Sequence, residues 1–280
     1  MNLEHLSYSS INLFCQCPEH WRRKYVLGEP MPTTAPLLFG SAFHDTIETY
    51  IRDKSVDIKT VWAEKYNAAL EADPFVEWGK SKPETLYNDG YRMFSDEDIL
   101  STVEGLVPLV DEFGPMIERK VTLYAPDVPV PIIGYIDMVA ADGTPCDFKT
   151  SARTWTTTRA ASETQPLFYL AALNALGHRS KNFRHIVFVK TKTPQVQIIE
   201  TPHTTSEIFW LFDMVRRVWD AIETGVFPMN PSGWLCAEGM CPFWPTCRGK
   251  GVNGGNASAG SALSGGGKDA SARGVSSGVL

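Results

Sequence analysis

The sequence predicts a mixed α/β core with helical additions, and three observations predict it. Up to residue 113 the apolar residues recur with helical spacing. From 117 to 151 the period shortens to that of strands. Beyond 160 a helix, a hairpin and a long helix follow. The order helices, three strands, helix, two strands, helix is not that of a doubly wound parallel sheet.

The elements follow in order. Residues 9–25, SSINLFCQCPEHWRRKY, open on a Ser cap, and Pro18 breaks or restarts the helix there. GSAFHDTIETYIRD, 40–53, places Phe43, Ile47 and Ile51 on one helical stripe. Residues 57–71 and 96–113 read as further helices, whereas 74–92 is too punctuated by Pro and Gly to assign. IERKVTLYAP (117–126), VPIIGYIDMVA (130–140) and TPCDFKTS (144–151) read as three strands. Residues 162–177 form a helix, with Pro166 tolerated only in its first turn. HIVFVKT (185–191) and QVQIIET (195–201) make a hairpin around Thr193-Pro194, and 204–225 is an amphipathic helix ending at Gly225.

The chain has 280 residues, 43% of them hydrophobic, enough for one sizeable core. A single domain is expected over 1–248. Residues 249–280 are rich in Gly, Ser and Ala and read as a flexible tail. No apolar run is long enough to span a bilayer, and the N-terminus lacks a signal-peptide core, so a cytoplasmic protein is expected. The net charge of −6 argues against a protein coated in nucleic acid on all sides. It leaves room for a local basic groove from Arg22-Arg23-Lys24, Lys190 with Lys192, or Arg216-Arg217.

The stretch GYIDMVAADGTPCDFKTS, 134–151, carries charges inside a predicted hairpin. Asp147 and Lys149 are two apart and share a face. A two-residue turn at Asp142-Gly143 would put Asp137 on the opposite face. A three-residue loop, Ala141-Asp142-Gly143, with Gly143 left-handed, sets Asp137 directly across from Asp147, and this register is the expectation. Two adjacent carboxylates repel unless a cation lies between them, and hard oxygen donors suit Mg²⁺ or Mn²⁺. Such an ion acidifies bound water and stabilises charge on phosphorus, and a neighbouring lysine can orient the attacking water. Asp-x-Lys alone is common, and alternating charge is more often a solvated face. Gln165 and Tyr169, four apart on the following helix, can both contact phosphate or sugar. His44 lies on the early helix with Glu48 one turn on, and matters only if that helix packs against the hairpin.

Six cysteines in such a chain are not a disulfide framework. Cys236, Cys241 and Cys247 crowd a short window and call for a fourth ligand, with Cys17 and Cys15 as rivals. Four thiolates suit zinc or an iron–sulphur cluster, and spacing does not choose between them. Cys146 reads as core. Trp234, Phe243 and Trp244 are expected to pack over the cysteine cluster.

Together these residues resemble the PD-(D/E)XK nuclease superfamily, above all RecB-like exonucleases, including CRISPR-associated and phage-encoded members with an iron–sulphur cluster. The matching stretches run in order: SYSSINLFCQCPEHWRRKYVLG, GSAFHDTIE, GYID, DFKTS, QPLFY and the three late cysteines, over about residues 8–248. The resemblance implies a restriction-endonuclease-like core with N-terminal helical additions and a C-terminal cysteine cluster. It implies a metal held by His44, Asp137, Asp147 and the Phe148 carbonyl, with Lys149 catalytic and Gln165 and Tyr169 near DNA. It implies a [4Fe–4S] cluster on Cys17, Cys236, Cys241 and Cys247. The gap between Cys236 and Cys241 is longer than in many members. The implied activity is Mg²⁺- or Mn²⁺-dependent exonucleolytic cleavage of single-stranded DNA. A structure-specific endonuclease and a non-catalytic iron–sulphur DNA-binding subunit are the alternatives, and partners in recombination, replication or CRISPR adaptation fit the same reading.

Overall fold

The computed structural model describes residues 3–251; Met1, Asn2 and residues 252–280, most of the expected tail, lie outside the described residues. Two short helices come first, α1 (Tyr8–Gln16) and α2 (Pro18–Tyr25), after a two-residue strand β1 (Leu6–Ser7). Ser7 caps α1 in a reciprocal capping box with Ser10. Pro18 starts α2 at a position where no amide hydrogen is needed. Four helices follow: α3 (Ala35–Arg52), α4 (Ile58–Ala72), α5 (Pro83–Met93) and α6 (Glu97–Glu104). The helix expected over 96–113 is corrected: it ends at Glu104. Beyond Gly105 and Pro108 the chain forms a small antiparallel pair, β2 (Val110–Asp111) with β3 (Gly114–Pro115). Helix α5 occupies the unassigned 74–92 region, with Pro83 in its first turn.

The main sheet is built from β4 (Ile117–Leu123), β5 (Ile132–Val139), β6 (Pro145–Ser151), β7 (Asn182–Val189) and β8 (Gln195–Pro202), together with β1. Strand β4 lies antiparallel along one edge of β5. The other edge of β5 is divided. Strand β1 pairs with it in parallel at Ile132 and Ile133, and β6 pairs antiparallel at Met138 and Val139. Residues 134–137 are left between these two partners. Beyond the division β6 runs parallel to β7, and β7 is antiparallel to β8. A parallel pair needs a long crossover. Helices α7 (Thr157–Ser162) and α8 (Gln165–Ala175) supply it; the first of these was not foreseen.

Helix layers cover both faces. One core joins α1, α2, α8 and the terminal helix α9 (Thr205–Glu223) to Val121, Leu123, Ile132 and Ile136. The other joins α3–α6 to Ile117, Met138, Cys146, Phe148, Ile186 and Phe188. Strand residues two apart normally share a face, yet Ile117 and Val121 sit in different cores. The reversal falls at Glu118, whose φ is +47°. Its partner strand makes the same change of phase between Ile136 and Met138, at Asp137.

Candidate active site

The β5–β6 loop is the three-residue one. Gly143 has φ +83°, where a side chain would be strained. Its amide donates to the Ala140 carbonyl (2.8 Å), and the Ala140 amide donates to Thr144 (2.9 Å). The pairs Met138 with Cys146 and Val139 with Pro145 make Asp137 and Asp147 the next opposed positions. There the ladder opens. The Phe148 amide donates to Asp137 Oδ2 at 2.6 Å rather than to backbone. A carboxylate has taken the place of a ladder carbonyl.

One hydrogen-bonded chain crosses the opening. The Lys149 ammonium donates to Asp147 Oδ1 (2.8 Å) and to Gln165 Oε1 (2.9 Å). Gln165 Nε2 donates to Tyr169 Oη (3.1 Å), and that hydroxyl donates to the Tyr135 carbonyl (2.6 Å). The last bond satisfies a carbonyl in the unpaired part of β5, as buried backbone requires. Tyr169 is buried, and as it stands the Gln165–Tyr169 pair holds Lys149 and backbone. Gly134 permits the approach of α8: a Cβ there would lie 2.5 Å from Phe168 Cε1 and 3.3 Å from Tyr169 Cε1.

Helix α3 brings His44 in from the other face, its Nδ1 3.6 Å from Asp137 Oδ2. Burial pushes this imidazole down to about 4, against the pull of Asp147 and the Phe148 carbonyl, so it is neutral at pH 7. Asp137 is raised well above the carboxylate range, by burial first and then by the charge of Asp147. Burial opposes the charge on Lys149, but Asp147 and Asp137 outweigh it and hold the ammonium above its usual range. Glu118, opposite Asp137 across β4, is pushed up to about 7 by burial, with Glu48 and Asp45 adding to the effect. Nothing in the local sequence marks Glu118, because its strand pattern looks ordinary and only the backbone reversal brings it here.

The geometry therefore draws together Asp137, Asp147, Lys149, Gln165, Tyr169, His44 and the Phe148 backbone. Two carboxylates in one buried opening are electrostatically costly, and a divalent cation would relieve them; Mg²⁺ needs only one or two carboxylates and fills its shell with water. Among the described residues no three His, Cys, Asp or Glu side chains stand close enough to hold a single ion by themselves.

Cys17, Cys236, Cys241 and Cys247 line one cavity of about 200 Å³. Cys15 lies elsewhere, beside Phe14, Pro18 and Trp210. His20, one turn beyond Cys17, sets its Nδ1 3.5 Å from Cys241 Sγ. Burial raises the Cys241 thiol. Phe243 and Trp244 line the cavity as expected, but Trp234 does not: it is 64% exposed. The basic clusters are largely occupied. Arg22 and Arg23 bind Glu19, and Arg216 and Arg217 bind Asp213 on their own helix. Lys190 lies over the Phe39 ring at 4.1 Å.

Residues 5–248 match the family model of the PD-(D/E)XK nuclease superfamily. No curated protein is significantly similar in sequence. The crystal structure of a candidate exonuclease from Eubacterium rectale is similar in fold, with a TM-score of 0.54 at 12% identity, covering 90% of this chain and 94% of that one. The protein designated SSO0001 gives a TM-score of 0.35 at 14% identity over 86% of this chain and 95% of that one, a likeness too weak to argue from. No helix among the described residues is long and apolar enough to cross a membrane.

Proposed function

The chain belongs to the PD-(D/E)XK nuclease superfamily, and from that premise we propose that it is a Mg²⁺- or Mn²⁺-dependent deoxyribonuclease acting exonucleolytically on single-stranded DNA ends. The observation that carries this reading is the convergence of Asp137, Asp147 and Lys149 in the opening between β5 and β6. In this reading Asp137 and Asp147 would hold the ion, with His44 and the Phe148 carbonyl drawn in to complete the set when it binds. When bound, the ion stabilises charge on phosphorus and lowers the pKa of water. Lys149 offers an N–H to the attacking water or to the phosphoryl oxygens. Gln165, anchored through Tyr169 to β5, keeps that ammonium aimed. Water adds to phosphorus, the sugar oxygen leaves with a proton, and a phosphate monoester and an alcohol remain.

A [4Fe–4S] cluster on Cys17, Cys236, Cys241 and Cys247 belongs to the same proposal. A single zinc ion would gather four sulfurs within about 2.3 Å of one point. The four thiols share the lining of one cavity of about 200 Å³, which has room for a group larger than one ion. Its place between the N- and C-terminal segments gives it a structural role.

The test is digestion of end-labelled linear and of circular single-stranded DNA with Mg²⁺, Mn²⁺ or EDTA. Loss of label from the linear strand in either metal, an intact circle and no reaction in EDTA are expected. Cleavage of the circle would turn the reading to an endonuclease, and no cleavage in either metal would sink it.

A further inference from the structure

His185 is buried completely, and neither ring nitrogen has a hydrogen-bond partner among the described residues. It pairs with Asp147 across the parallel β6–β7 ladder, so the two side chains share a face. Asp147 is 1% exposed, and its Oδ2 lies 2.7 Å from the Lys149 ammonium. Behind the imidazole stands Trp155, with ring centroids 5.4 Å apart, and its buried indole N–H is also unpartnered. Unpartnered nitrogens of His185 and Trp155 thus stand beside and behind Asp147.

Trp155 is firmly held. Its amide donates to Gln197 Oε1 (2.8 Å), Gln197 Nε2 donates back to its carbonyl (3.3 Å), and Arg159 lies 4.1 Å over its ring. A buried polar group left unpaired is costly, and one buried water typically serves about three such groups. A neutral imidazole offers one donor and one acceptor. Burial keeps His185 neutral at pH 7 by pushing it down to about 4.

We infer that His185 is a positioning residue for Asp147: one of its ring nitrogens reaches Asp147 Oδ2 through an ordered water. A carboxylate oxygen has two lone-pair directions, so this bridge and a cation are compatible. The bridge fixes the carboxylate plane from behind. It rests on the nuclease reading for its catalytic consequence, but not for its geometry.

Two measurements test it. In a crystal structure of the unsubstituted protein, a water within about 3.2 Å of both His185 and Asp147 Oδ2 is expected; no water there would overturn the inference. In single-strand digestion, His185→Phe should lower kcat about 10–100-fold, the usual cost of losing such an outer partner. KM for DNA should hold, the thermal midpoint should be unchanged or higher, and His185→Gln should recover part of the rate. A His185→Phe enzyme as fast as the parent would overturn it. Should the parent cleave nothing in either metal, the nuclease reading fails, and the water alone decides this inference.

Discussion

The carboxylate opening and the cysteine cavity are built on opposite principles. The opening is held by directed bonds: Asp137 on the Phe148 amide, Lys149 on Asp147 and Gln165, and Tyr169 on backbone. It is organised before any ligand arrives, as a site that stabilises developing charge must be. The cavity is held by shape. Its sulfurs meet weak partners: His20 lies 3.5 Å from Cys241, across more than two hundred residues of chain, and Arg248 lies 3.8 Å from Cys236. On the cluster proposal, such a region would depend on its occupant to tie its two ends together. The first region should therefore fail in rate, the second in stability.

The largest effect should come from Lys149→Ala, which removes the charge and both of its bonds. Cleavage is expected to fall about 1,000-fold, the upper end for loss of one stabilising donor, with the thermal midpoint barely moved. A variant keeping a tenth of the parent rate would contradict the division. Next is Cys17→Ser, expected to lower the midpoint by about 5 °C or more, equivalent to a loss of about 2 kcal/mol, and to bleach the visible absorption of the anaerobically purified protein. Cys15→Ser should do neither, and equal effects of the two would remove Cys17 from the ligand set.

Gly134→Ala couples the two kinds of failure. Its Cβ would meet Phe168 at 2.5 Å, an overpacking that costs about 1–3 kcal/mol. Because Tyr169 moves with Phe168, both midpoint and rate should drop, which calorimetry and digestion can read together. The smallest effect concerns pH in the metal-free protein. The folded-state pKa of Glu118 is raised from 4.5 to about 7, so above 4.5 the unfolded chain ionises while the folded one resists. Stability from this group is lost as pH rises through that window and is constant beyond it. Glu118→Gln cannot ionise. Its midpoint should match the parent near pH 4 and exceed it by about 2–4 °C at pH 8; an advantage that shrinks with rising pH would refute the burial of this carboxyl.

Much of the architecture was legible because it is written locally. Pro18 and Pro166 mark helix starts, and the period change near residue 117 marks the sheet. Gly143 announces its loop, since only that register sets Asp137 against Asp147 with glycine left-handed. The 96–113 segment misled because its apolar residues keep a helical rhythm past Gly105, while Pro108 and Gly114 turn the chain into a hairpin.

By itself the sequence determined the order of the larger helices and strands, the β5–β6 register and the residue types able to carry metal-assisted phosphodiester chemistry, because spacing and turn chemistry act over a few residues. Tertiary structure decided what depends on distant partners. It divided the edge of β5 between β1 and β6, and reversed β4 at Glu118. It chose Cys17 over Cys15 as the thiol lining the cavity, and set a buried His185 behind Asp147. Those outcomes follow from which surfaces pack together, and local periodicity carries no record of that.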